Sequence, residues 1–358
     1  MTRLRTVPTL LMVLMAGAMS LAALPQAPSL PCRPGSVKFG VIGDFGDGSK
    51  GEYAVAAKFA ERYALCAFDM VITVGDNIYG SERAQDFVKK FETPFKTLLD
   101  KGVKFHASLG NHDDPNQRFY KPFNMGEKRY YTLTRKNVQF FALDSTYMDR
   151  KQLDWLEDEL KSSKAEWKIP YFHHPLYSSG GAHGSSIDLR DVLEPVFLRH
   201  GVQVVFSGHD HFYERTKPQK GIYYFVAGST GKLRVDNVQK SALTATSFDT
   251  GRAVMVVEIA DDAMFFETVS QDGKVVDSAC IPRGVDLPVS GSRERCPPRK
   301  PGMPLESFEP EASPEGVSFE LRMPVSQKID VLSKSLVELD PAGTLELEEK
   351  KDKSRPDA

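Results

Sequence analysis

The chain reads as an α/β fold with an antiparallel section added near its end. Two observations carry this: from Val37 to about Ile281 short β-rich runs alternate with amphipathic stretches, and the last runs follow one another with no helical pattern between them. The first strand is expected at Val37–Ile42, followed by a helical pattern over Glu52–Tyr63 and strands at Met70–Val74 and Lys104–Ser108. Further strands are expected at Gln139–Leu143 and Lys168–Phe172, with a helix over Lys151–Ser162 between them. A helix over Ile187–Arg199 stops at Gly201, ahead of strands at Val202–Phe206 and Tyr223–Ala227. Ala253–Ile259, Met264–Val269 and Val275–Ile281 complete the set, the last two joined by Asp272-Gly273, a hairpin signal.

The flanks differ from this body. No charged residue occurs between Thr6 and Cys32, and Leu10 to Leu24 is apolar apart from Ser20, with Arg3 and Arg5 ahead of it. The run is shorter than the ~18–20 residues of a membrane span and is followed by small residues, so residues 1–27 are expected to be a secretory signal peptide. The alternative is an uncleaved N-terminal anchor. Export would place the protein outside the cytoplasm, secreted or periplasmic, with no stable membrane span after cleavage. Residues 299–358 hold only Phe308 and Phe319 as aromatics, are rich in Pro, Glu and Lys, and are expected to be mostly disordered; Val317–Leu321 is the one stretch there suited to an edge strand. Residues 28–298 are therefore the expected folded domain.

Cys32, Cys66, Cys280 and Cys296 permit up to two disulfides in an exported chain, with three possible pairings. The alternative is free, buried thiols. The 46 basic and 48 acidic side chains nearly balance, and residues 28–298 sum to zero, so neither nucleic acid nor an anionic membrane is expected as the main partner. A neutral body cannot draw in an anion by bulk charge; a local positive field is needed.

Five motifs follow predicted strands, where α/β sheets place their ligands. They are Gly43-Asp44-Phe45-Gly46-Asp47, Gly75-Asp76-Asn77-Ile78-Tyr79, Gly110-Asn111-His112-Asp113, Phe172-His173-His174-Pro175 and Gly208-His209-Asp210-His211. Any one of them is also a plausible turn. Together they collect Asp, Asn, His and Tyr at one end of a sheet. His209 and His211 are two apart, so an extended segment would send both rings to the same side. Such mixed oxygen and imidazole donors suit first-row transition metals better than calcium.

With these motifs in order, the chain resembles the calcineurin-like metallophosphoesterase superfamily, and within it the purple acid phosphatases. The resemblance spans about Val37 to Ile281 and includes the longer block from Gly208 to Arg215. The first motif has Asp-Phe-Gly where most of the superfamily has Asp-x-His, and Tyr79 stands where the purple enzymes supply a tyrosinate. The resemblance implies a four-layer αββα sandwich with two mixed β-sheets. It also implies Fe(III) held by Asp44, Asp76, Tyr79 and His211, beside a divalent Fe, Zn or Mn held by Asp76, Asn111, His173 and His209. A phenolate suits a trivalent ion, because a phenol of pKa ~10 needs a highly charged metal to bind deprotonated.

The implied activity is hydrolysis of small phosphate monoesters at acidic pH, with metal-activated hydroxide as the nucleophile. Asn111, His112 and His183 are the expected substrate contacts, with His112, oriented by Asp113, and His183 as the catalytic pair. His183 is the looser match, since the carboxylate some relatives carry nearby is missing. His174 is expected to pack beside Pro175, with a place lining the pocket as the alternative, and Asp47 and Asp210 to fill turn roles. Glu214 and Arg215 are expected to pair or hydrogen-bond below the site, with His106 and His200 structural. The alternative on the same metal core is a phosphodiesterase or nucleotide pyrophosphatase, and a silent phosphate- or metal-binding protein is the non-enzymatic reading.

Overall fold

The computed structural model describes residues 30–284. The expected leader, the tail and the strand at Val317–Leu321 lie outside the described residues. The chain begins with β1 (Val37–Ile42), α1 (Lys50–Leu65), β2 (Met70–Val74), the short helices α2 (Ala84–Phe87) and α3 (Lys96–Asp100), and β3 (Lys104–Ser108). It continues with β4 (Tyr131–Arg135), β5 (Val138–Ala142), α4 (Arg150–Ser162), β6 (Trp167–Tyr171), α5 (Ile187–Arg199), β7 (Val204–Ser207), β8 (Tyr213–Thr216) and β9 (Tyr223–Ala227). The last strands are β10 (Thr244–Phe248), β11 (Ala253–Ala260), β12 (Ala263–Ser270) and β13 (Val275–Pro282). No helix among the described residues is long and apolar enough to cross a membrane.

Two mixed sheets result, one ordered β13-β12-β11-β1-β2-β3 and the other β10-β8-β9-β7-β6-β5-β4. The antiparallel section is not an appendage: β11 pairs antiparallel with β1, Val37 opposite Ile259, so β11 to β13 form half of the first sheet. Pairing them onto β1 removes the open edge that a three-stranded parallel sheet would leave beside its first strand. Three strands escape the sequence pattern. β4 and β10 are half exposed and lack an apolar run, while Tyr-Glu-Arg-Thr of β8 is buried with its charged side chains partnered.

Side-chain alternation assigns each face of the second sheet to its own layer. Phe140, Tyr171, Phe206 and Phe225 point between the sheets, where Phe39 meets Phe140 edge-on with ring centroids 4.9 Å apart. Their neighbours Phe141, Phe172, Val205 and Tyr224 turn outward onto Leu156 and Leu160 of α4 and Leu193 and Phe197 of α5. On the first sheet α1 lies so close to β1 that a Cβ on Gly40 would fall 2.1 Å from the Phe59 ring. Helices outside two face-packed sheets make the four-layer sandwich. Ser49 and Asp149 cap α1 and α4, accepting from the amides of Glu52 (3.2 Å) and Gln152 (2.7 Å).

Of the three possible cysteine pairings, the structure selects Cys32 with Cys66, which ties the segment before β1 to the end of α1. Cys280 is disulfide-bonded as well. His200 caps the C-terminus of α5 with its ring against Glu157 at 2.6 Å, the structural role expected of it.

His106, inside β3 and only 9% exposed, is held down to about pKa 4, chiefly by burial and then by the Arg135 charge. Its folded pKa lies below the ordinary 6.5, so the unfolded chain binds the proton more readily. Stability is therefore fully retained above pH 6.5 and declines as pH falls towards 4, by about 3 kcal/mol from this group alone at 1.36 kcal/mol per unit. Urea unfolding of wild type and His106→Gln across pH 7 to 4 is expected to show a shallower decline in the variant; equal slopes would contradict the assignment.

Candidate metal centre

The five motifs leave the carboxyl ends of β1, β2 and β3 in one sheet and of β6 and β7 in the other, and the sandwich brings those ends together. The joints between loops are backbone hydrogen bonds. Asp44 N donates to Gly75 O (3.0 Å), Tyr79 N to Gly46 O (2.9 Å) and Gly208 N to His173 O (2.9 Å). Close approach requires glycine at two places: a Cβ on Gly110 would fall 2.2 Å from the Asp76 carboxylate, and one on Gly208 2.5 Å from Asp44 Oδ2. Asp44, Asp76 and His209 sit at φ of 52°, 51° and 70°, in the left-handed region that costs an ordinary side chain about 1–2 kcal/mol. Strain of this kind gathers where side chains are aimed for function.

All seven expected donors converge, in two sets that share Asp76. The Tyr79 hydroxyl lies 2.9 Å from Asp76 Oδ2, 3.1 Å from Asp44 Oδ1 and 3.2 Å from His211 Nε2. On the other side His173 Nε2 lies 3.4 Å from Asp76 Oδ1, 3.0 Å from Asn111 Oδ1 and 3.1 Å from His209 Nδ1. Donors bound ~2.1 Å from one ion stand ~3.0 Å apart on an octahedron and ~3.4 Å apart on a tetrahedron, so each set has the spacing of a single coordination shell. His173 Nδ1 lies 3.0 Å from the Val74 carbonyl, which can only accept, so Nδ1 carries a proton and Nε2 is the nitrogen that faces the cluster.

The electrostatics also call for cations. Asp44 is wholly buried and Asp76 is 1% exposed. Burial, and then Asp76 once the His173 attraction is set against it, pushes the Asp44 carboxyl up. Asp76 is also raised by burial, but His173, the His112 amide and the Tyr79 hydroxyl outweigh that and hold it below its usual value. Burial and the two carboxylates drive the Tyr79 hydroxyl far up, so it keeps its proton unless a positive ion enters. Burial lowers His209, and brings His211 down to about 4 with help from the Arg234 charge, leaving both rings in the neutral form that binds metals.

The calcineurin-like phosphoesterase model matches residues 37–213, the stretch that contributes every one of these donors. The chain belongs to that family. Within the family its relatives include Arabidopsis thaliana purple acid phosphatase 17, 28% identical over 235 residues, covering 55% of this chain and 69% of that protein. Rat tartrate-resistant acid phosphatase type 5 is 23% identical over 299 residues, covering 69% and 91%. Among solved structures, the protein described as "GAP50 the anchor in the inner membrane complex of Plasmodium" superposes with a TM-score of 0.61 at 19% identity, covering 69% and 89%. That likeness concerns the fold alone.

As a calcineurin-like phosphoesterase the chain departs from its sequence reading in several details. Residues 208–212 are not extended: Asp210 N bonds Gly208 O and Phe212 N bonds Asp210 O, a tight double turn that sends His209 and His211 to different donor sets. Asp113 does not orient the His112 ring. Its buried carboxylate accepts from the amides of Gly110 (2.8 Å), Asn77 (2.8 Å) and Ile78 (3.1 Å), pinning the second and third motifs together. The exposed His112 ring instead stands 5.0 Å from that of Tyr79, and its amide donates to Asp76 Oδ1 at 3.0 Å. Glu214 and Arg215 keep the structural role expected of them, though with other partners than each other: Glu214 accepts from Ser179 N (2.8 Å), and Arg215 pairs with Asp277 (2.8 Å).

His183 does join the site, its ring 4.2 Å from that of His209, and Asp210 accounts for this by accepting from Gly184 N (3.1 Å) and the Ser178 hydroxyl. Asp47 keeps its turn role, accepting from Ser49 N. His174 was underrated. Its ring lies 4.5 Å from that of His209, Ser145 Oγ holds its Nδ1 at 2.9 Å, and burial lowers it to about 3, so it lines the pocket as a neutral ring. The pattern also overlooked Lys232 and Arg234 in the loop after β9. Lys232 Nζ stands 4.4 Å from the centre of the Tyr79 ring, and Arg234 N bonds the His211 carbonyl at 3.0 Å. Their signal was positional: basic residues in a Gly-rich loop at the carboxyl end of a further parallel strand.

Proposed function

We propose that the chain is an exported acid phosphatase that hydrolyses small phosphate monoesters at a dinuclear centre of Fe(III) and a divalent Fe, Zn or Mn. The observation that carries this reading is the pair of donor sets sharing Asp76, with a tyrosine in one of them. Asp44, Asp76, Tyr79 and His211 would hold the trivalent ion, and Asp76, Asn111, His173 and His209 the divalent one. When bound, the two ions supply Lewis-acid stabilisation of phosphoryl charge and activation of water.

The remaining work falls to the chain. The His112 ring stands beside that of Tyr79 and the His183 ring beside that of His209, and both are exposed to an incoming ester. Either ring can carry a proton to the departing alkoxide, and Asn111, itself exposed, can contact both substrate and metal. Half-buried His174 and buried Asp113 and Asp210 keep these groups in place. Relatives named as acid phosphatases support the monoesterase reading, and an exported location agrees with the disulfides.

The purified protein is expected to show a visible tyrosinate-to-iron charge-transfer band that is lost in Tyr79→Phe, together with faster turnover of phenyl phosphate than of bis(phenyl) phosphate. A colourless, active protein loaded with manganese or zinc would remove the iron. Faster diester cleavage would overturn the monoesterase assignment, and a metal-loaded protein that turns over neither ester would make it a binding protein.

A further inference from the structure

A formally neutral body raises the question of where fixed positive charge stands near the cluster. Outside the donors, the loop after β9 answers it. Gly231 N and Lys232 N both donate to the Asp44 carbonyl, at 3.0 and 2.8 Å, and Arg234 N donates to the His211 carbonyl at 3.0 Å, so this loop is bolted to two donor-bearing loops. Gly231 is required there: a Cβ would fall 1.7 Å from the Phe45 carbonyl oxygen. The loop thus presents Lys232 over the Tyr79 ring and the exposed Arg234 beside His211, both on the side of the cluster away from His173. Neither side-chain cation has an acidic partner among the described residues. Two other basic groups near this rim are engaged: Lys90 donates to the carbonyls of Tyr79 and Ser81, and Arg252 to that of Gly231.

Two cations with no acidic partner among the described residues, on one rim of the proposed phosphate site, are more than the transferred group requires, because the proposed metal pair would meet its charge. Guanidinium and ammonium groups left free at a rim favour a further anion, and guanidinium favours a carboxylate or phosphate it can grip with two N–H groups. We propose that Lys232 and Arg234 form a specificity site for monoesters whose leaving group carries a second anionic group, a carboxylate or another phosphate. The proposal rests on the phosphomonoesterase reading and narrows its substrate class.

The test compares ligands that differ only in the second charge. On the metal-loaded protein, calorimetry measures binding of 3-phosphonopropionate against propylphosphonate, and kinetics compares 4-carboxyphenyl phosphate with phenyl phosphate. Wild type is expected to prefer the carboxylate in each pair by roughly tenfold or more, the usual scale of a charge-assisted hydrogen bond, with the preference shrinking as salt rises. Arg234→Gln and Lys232→Met should each reduce the ratio and the double variant abolish it, while Arg234→Lys and Lys232→Arg keep most of it. A wild-type ratio near one overturns the proposal. So does an equal loss for both ligands in the variants, which would mean that the cations serve the transferred phosphoryl group. Failure to turn over phenyl phosphate at all would instead count against the phosphatase reading.

Discussion

Asp76→Asn is expected to lower phosphomonoester turnover at least about a thousandfold, since losing one charge-stabilising donor already costs ~10²–10³ and Asp76 serves both donor sets. Asparagine is the informative choice. It keeps the shape, accepts the His112 amide on its carbonyl oxygen and tolerates the left-handed backbone at φ 51°, so lost activity reports the charge and not a collapsed loop. Metal content by elemental analysis should fall in the same variant. Its thermal stability without metal should fall modestly, because the fold holds the Asp76 carboxyl below its usual value and so favours the charged form that asparagine lacks. The control is Asp47→Asn in the first motif, whose carboxylate accepts from the Ser49 amide at the surface end of that loop; turnover there should stay within a few-fold. Comparable losses in both variants would show that the loops, and not the shared carboxylate, set the rate.

How far a sequence discloses such a site depends on what holds each residue in place. The donors were legible because each follows a strand whose apolar run is itself legible, and β1, β2 and β3 match their expected limits residue for residue. The turn at 208–212 was not, because its shape depends on Asp210 being drawn away to Ser178 and Gly184, partners 26 to 32 residues distant. The clamp by Asp113 was hidden for a similar reason: an acid next to a histidine suggests a local pair, whereas burial beneath Asn77 and Ile78 gave it amide partners. The loop of Lys232 and Arg234 shows the limit of bulk arithmetic. A net charge of zero over residues 28–298 is compatible with a strongly uneven local field, and only the fold tells which basic side chains lack acidic neighbours.

Asp277→Ala is expected to cost the largest share of stability. Asp277 on β13 receives Arg215 of β8 through two bonds, Nε to Oδ2 at 2.8 Å and Nη2 to Oδ1 at 3.1 Å, and the Tyr213 hydroxyl at 2.7 Å. Those strands belong to different sheets, so this cluster fastens the two layers together across the sandwich. Arg215 is 2% exposed and cannot reach water when its partner is gone. Breaking a buried pair from one side typically costs ~3–5 kcal/mol because an uncompensated charge remains inside. At ~2–4 °C per kcal/mol for a domain of this size, Tm should fall by about 10 °C in a thermal scan. Replacing both partners, Asp277→Leu with Arg215→Met, should recover much of that loss, since the expense comes from the stranded guanidinium. Recovery in the double variant would separate a desolvation cost from a loss of shape, and a single-variant Tm within about 2 °C of wild type would show that the sheets are held by their aromatic core alone.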